Sequence, residues 1–148
     1  MEVRLEVGLE LSKLDGQPIT SAIRVGERIW ATVVVTNLTD KRMELEVSRG
    51  SFVQVSSFRA EKGFPNRDGY EDLGRKNEAN TLLLTPTPFY SSRGPAIAMY
   101  LKPREIRRAR FEVRFSEAGP FFLRGAFRFE VNRREMILFS REMSIFVW

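Results

Sequence analysis

Apolar residues recur at every second position along most of this chain. Val3, Leu5, Val7, Leu9 and Leu11 alternate with Glu2, Arg4, Glu6 and Glu10, the period of a strand with one face in a core and the other in water. Asp15-Gly16 and Pro18 break that run, and Val25-Gly26-Glu27 leads into a β-branched stretch, Ile29 to Thr36, that ends at Asn37-Leu38-Thr39-Asp40. Its continuous apolarity predicts a central strand covered on both faces, with Trp30 in the core. Alternation resumes at Met43, Leu45 and Val47, and Phe52 to Val55 is extended again after a turn or bulge at Arg49-Gly50.

From Ser57 to Asn80 the composition shifts to charged and turn-forming residues, including Gly63, Pro65, Asn66, Asp68, Gly69 and Gly74. A connection of that length inside a compact domain is uncommon and marks a functional or mobile loop. Thr81 to Thr85 is a candidate short strand, Pro86 and Pro88 keep the next segment extended, and Ala96 to Leu101 is a further strand. No segment carries sustained helical periodicity.

The last third has the sharpest pattern. Arg107, Ala109, Phe111, Val113 and Phe115 share one strand face, Glu117-Ala118-Gly119-Pro120 reads as a turn, and Phe121, Leu123, Gly125, Phe127, Phe129 and Val131 form the face of an expected hairpin partner. Asn132-Arg133-Arg134 then turns the chain into a final strand from Glu135 to Val147. Pairing about these two turns would place Glu112 opposite Arg124 and Arg124 opposite Glu142, a cross-strand charge network on the wet face. About eight or nine short strands without a helix predict an all-β fold, a Greek-key β-sandwich in one domain over residues 1–148 with the 57–80 loop inserted.

Composition narrows the chemistry. There is no histidine and no cysteine, and 19 arginines stand against 5 lysines, for a net charge of +5. That removes Ser-His-Asp and Cys-His nucleophiles, the usual zinc and copper ligand sets, and disulfides. The glycines are isolated in turns, and none precedes a Lys-Ser or Lys-Thr pair as a phosphate-cradling loop requires. No apolar run is long enough for a membrane-spanning helix, and the charged start Met1-Glu2-Val3-Arg4 lacks the form of a signal peptide. A cytoplasmic protein is the expectation.

One resemblance rests on particular residues. The run from Val25 through Gly26, Glu27 and the strand to Thr36-Asn37-Leu38-Thr39-Asp40 resembles a stretch found in bacterial immunoglobulin-like modules. Leu101-Lys102-Pro103-Arg104-Glu105, Phe111 to Phe115, and Glu117 to Leu123 are similar to the closing strands of the same modules. Arg104 stands where those modules usually have glycine. Intracellular proteinase inhibitors and adhesion-related modules both carry this layout. The resemblance implies an immunoglobulin-like sandwich that binds something, and it assigns no site residue.

Three surfaces are candidates. Asp68, Glu71 and Asp72 cluster near Asn66, but they read as a solvated loop; they lack the spacing of a calcium loop, and no metal, cofactor or catalytic residue is assigned. A protein partner is expected at the 57–94 region and the C-terminus through Phe64, Arg67, Tyr70, Phe89, Tyr90, Phe146 and Trp148, with self-association of the last strand into a homo-oligomer. The alternative is nucleic acid or another polyanion on Arg108, Arg110, Arg114, Arg124 and Arg128, expected on the wet faces of two neighbouring strands with Phe122 as a stacking ring. A structural role in a capsid or surface lattice is a further alternative.

Overall fold

The structure, a computed structural model, describes residues 3–19, 22–48, 52–59, 71–72, 89–90 and 96–148. Twelve strands follow in chain order: β1 (Leu5–Lys13), β2 (Ala22–Ile23), β3 (Ile29–Asn37), β4 (Met43–Ser48), β5 (Val53–Arg59), β6 (Glu71–Asp72), β7 (Phe89–Tyr90), β8 (Ala96–Leu101), β9 (Ile106–Val113), β10 (Gly119–Val131), β11 (Arg134–Phe139) and β12 (Met143–Val147). A three-stranded antiparallel sheet has the order β1-β3-β9. The larger sheet runs β2-β12-β10-β4-β8-β7, with β5 and β11 also paired to β10 and β6 paired to β5. All-β architecture in two layers is therefore as the alternation predicts.

The parity of each strand decides what lies between the layers. Val7, Leu9 and Leu11 of β1, Ile29, Ala31, Val33 and Val35 of β3, and Ala109, Phe111 and Val113 of β9 are buried from one side. Leu45, Val47, Leu123, Phe127, Phe129, Ile145 and Val147 meet them from the other. Phe127 stacks on Phe129 at 5.2 Å between centroids and receives Phe52 edge-on at 6.5 Å, an arrangement that adds to the burial of the rings. Gly125 faces inward against the other sheet: a Cβ there would sit 3.1 Å from Val33 Cγ2.

Several expectations are corrected. β9 and β10 do not form a hairpin, because β9 pairs with β3 and β10 lies in the other sheet; Glu117 and Ala118 belong to a crossing between layers, and Gly119 and Pro120 already pair in β10. Glu112 therefore lies opposite Trp30 and not opposite Arg124. β3 is central in its sheet but buried on one face only, and Trp30 is on the outer, half-buried face with the Arg110 guanidinium 4.2 Å from its ring. The final strand is interrupted. β11 pairs with β10 in one register (Ala126 opposite Phe139), β12 in a register shifted by one (Leu123 opposite Met143), which is a bulge between them. Ser140 fills it, its Oγ accepting the Gly125 N–H at 2.8 Å and its own N–H donating to the Gly125 carbonyl at 2.9 Å. β5 extends through Arg59 and pairs with β6, so 57–59 and Glu71–Asp72 are strand inside the expected 57–80 loop; the candidate strand at 81–85 lies outside the described residues.

One corner is wired by polar groups. Asn37, with no solvent exposure, donates from Nδ2 to the carbonyls of Lys41 (2.9 Å) and Lys102 (3.0 Å), and its Oδ1 accepts from the N–H and Oγ1 of Thr39. That one side chain joins the β3–β4 and β8–β9 turns, satisfying groups that would otherwise be buried unpaired. Next to it, buried Arg107 donates from Nε to Glu105 at 2.8 Å and from Nη2 to the Tyr100 carbonyl. Burial pushes the Glu105 carboxyl up, but the Arg107 hydrogen bond and the Lys102 N–H outweigh it and hold its pKa below the ordinary value. Arg104 sits at φ 60°, the left-handed region that glycine occupies without strain.

Candidate interaction surface

β10 is the longest strand and sets out the surface around it. Along one edge it carries β12 and then β11, along the other β5 and then β4. Because Ile145 and Val147 turn inward, Phe146 and Trp148 turn outward on the larger sheet, where they are 50% and 58% exposed. Beside them on β11, Met136, Ile137 and Phe139 are 37%, 36% and 50% exposed. Among the described residues five of the nine large exposed apolar side chains lie on β11, on β12 and at Trp148, with Met136 on the opposite face of β11 from Ile137 and Phe139, and such exposure marks an interaction surface.

Arginines frame these rings. The Arg124 guanidinium lies 4.2 Å from the Phe139 ring centre and that of Arg24 lies 4.7 Å from Trp148, within cation–π range. Arg128 pairs with Glu135 at 3.2 Å. Phe58, opposite Phe122 on the same outer face, is only 2% exposed, and along the β12–β11 edge exposed Ser144 and Glu142 lie between Phe146 and Phe139.

The expected residues divide as follows. Phe146 and Trp148 are brought onto one surface. Phe64, Arg67 and Tyr70 lie outside the described residues, and Phe89 and Tyr90 are placed in β7 by backbone only. The five arginines do not share one face. Arg108 and Arg110 project from β9 on the outside of the smaller sheet and Arg114 follows that strand, whereas Arg124 and Arg128 belong to β10 on the outside of the other sheet. The reason is the crossing after β9: two strands adjacent in sequence are on opposite layers. Met136, Ile137 and Phe139 were not among the expected residues, although the unbroken Met136-Ile137-Leu138-Phe139 run, apolar on both faces, was a legible signal.

The C-terminal strand, expected to contribute to self-association, also pairs within the chain. β12 is occupied on both sides, by β10 and by a parallel pairing with β2 (Phe146 opposite Ala22, Val147 opposite Ile23). Trp148 is bonded in as well: its N–H donates to Ile23 and its carbonyl accepts from Val25. Among the described residues no group of three acidic side chains is arranged to hold a metal ion, and no helix is long and apolar enough to cross a membrane.

No protein-family model matches the chain, and no curated protein matches it. Among solved structures, the C-terminal domain of the antigen I/II-family protein AspA from Streptococcus pyogenes is similar over 95% of this chain and 46% of its own, at 13% identity and a TM-score of 0.40. A PapD-like domain of human CEP192 is similar over 95% of this chain and 84% of its own, at 11% identity and 0.37. A family 123 glycoside hydrolase from Clostridium perfringens is similar over 96% of this chain and 27% of its own, at 10% identity and 0.40. This chain thus spans less than half the length of the antigen and hydrolase chains. Likenesses of this level transfer no function, and the fold rests on the sheet topology itself: an immunoglobulin-like β-sandwich in which β3 to β4, and β8 to β9 to β10, pass from layer to layer.

Proposed function

We propose that this chain is a non-enzymatic protein-interaction module that binds a partner on the outer face of its larger sheet, at the β11–β12 side. The observation that carries this reading is that Phe139, Phe146 and Trp148, each at least half exposed, come from the two successive strands along one edge of β10. Exposed rings beside arginines are the side chains most often decisive in protein interfaces. The 57–94 region, through Phe64, Arg67, Tyr70, Phe89 and Tyr90, is proposed as a second contact area on its sequence alone.

The polyanion reading is the weaker one, because one anionic strand cannot lie on Arg108 and Arg110 and on Arg124 and Arg128 together. The test is capture of partners from the native lysate, identified by mass spectrometry, with the paired change Phe146→Ser and Trp148→Ser as control. A partner retained by the natural chain and lost with the paired change is expected; an identical set of proteins on both would refute the reading.

A further inference from the structure

We propose that β11 is the place where this protein pairs with a second copy of itself, edge to edge, by extending the larger sheet. The inference rests on the interaction reading above and names the partner for its edge. β11 pairs with β10 on one side, and among the described residues no strand pairs with its other side.

The direction of the free backbone groups follows from the hairpin. Asn132 and Arg133 both have positive φ, 50° and 65°, and connect Val131 to Arg134 in a two-residue type I′ turn. The closing pair of such a hairpin is hydrogen-bonded, so the backbone groups of Arg134, Met136 and Leu138 point at β10. The bond from Ser140 N–H to the Gly125 carbonyl continues that alternation. Glu135, Ile137 and Phe139 therefore present their N–H and C=O groups to the open side, ready for a further antiparallel strand.

The side chains select a second copy as that strand. A two-fold axis normal to the sheet keeps each face on its own side, so only registers in which residues of equal parity face each other are allowed. Centred on Ile137, the pairing sets Ile137 opposite Ile137, Met136 opposite Leu138, Glu135 opposite Phe139 and Arg134 opposite Ser140. Met136, Ile137 and Leu138 meet apolar residues, Phe139 meets Glu135, and no like charges meet. Centring on Met136 leaves Phe139 opposite the turn residue Arg133, and centring on Leu138 runs the partner into the bulge at Ser140. The edge is six residues long, which places the contact in the small, transient class.

Each copy carries a net charge of +5, so salt should strengthen the association by screening their repulsion. A polyanion complex would respond in the opposite sense.

The test uses the full chain in sedimentation velocity over a wide concentration range, with amide hydrogen exchange read residue by residue. A monomer–dimer equilibrium is expected, with the amides of Glu135, Ile137 and Phe139 gaining protection as concentration rises. Ile137→Pro removes an N–H that the β10 ladder does not use and should weaken dimerisation at least tenfold, with the far-ultraviolet spectrum unchanged. If the proline variant fails to fold, Ile137→Lys carries the test. A monomer at every concentration, or a dimer that survives both variants, overturns the proposal. A monomer that still captures a partner lost with the Phe146 and Trp148 changes overturns self-pairing alone, whereas one that captures nothing overturns the interaction reading too.

Discussion

β1 and β11 are edge strands of different sheets, and they meet each other along one side of the sandwich. They treat the same hazard in opposite ways. β1 buries Val7, Leu9 and Leu11 and exposes Glu6, Glu10 and Lys13, so any strand arriving at its edge, which among the described residues only the Ser12–Pro18 bridge covers, meets charge. β11 has no such division: Met136, Ile137 and Phe139 are exposed, and Leu138 is half-buried against the core. Charged edges resist pairing and apolar ones invite it. One molecule thus holds a guarded edge and an available edge a short distance apart.

The largest effect that would break this comparison lies beneath β11. Phe127 faces the core opposite Leu138, and Phe127→Ala should cost about 4 kcal/mol, read as a lower urea midpoint. A loss below about 1 kcal/mol would mean that β11 is not anchored through the core at all. At the β1 end, Asn37→Ala should cost about 3 kcal/mol by leaving the Lys41 and Lys102 carbonyls without their donor. The Leu38 N–H to Arg4 carbonyl bond lies next to it, so exchange at Leu38 should quicken first.

Smaller changes sharpen the contrast. Arg133→Gly puts glycine at the φ of 65° in the β10–β11 turn and should raise stability by about 1 kcal/mol, seen as a higher melting temperature with self-association retained; a lower melting temperature would contradict the turn assignment. Glu10→Val should alter stability by no more than about 0.5 kcal/mol yet give β1 an association that the natural chain lacks at that edge. If sedimentation of this variant matches the parent, the carboxylates are not what guards β1.

How much of this was legible in the sequence differs from residue to residue. Period-two spacing correctly placed Phe111, Phe127, Phe129 and even Arg107 on inner faces, because parity alone decides which side of a strand meets the core. Parity says nothing of which strand lies alongside. Glu117-Ala118-Gly119-Pro120 has the residues of a hairpin turn, yet the chain crosses between layers here and Gly119 and Pro120 open β10 in the other sheet, which separates Arg108 and Arg110 from Arg124 and Arg128. Trp30 shows the same limit in reverse: its hydrophobicity suggested the core, but its neighbours Ile29 and Ala31 had already taken the inward positions. The departure at Arg104 from glycine was visible as a substitution, and the backbone gives it meaning, a left-handed residue with its guanidinium on Asp40 at 2.9 Å.

By itself, then, the sequence determined the class of fold, the side of each strand that enters the core and the kinds of chemistry that are absent, since these follow from local spacing and composition. Tertiary structure decided which strands are neighbours, that β12 lies between β2 and β10, and that β11 has one side with which no strand pairs among the described residues. Pairing between distant segments depends on how loops close and layers stack, and no local pattern in the chain encodes that geometry.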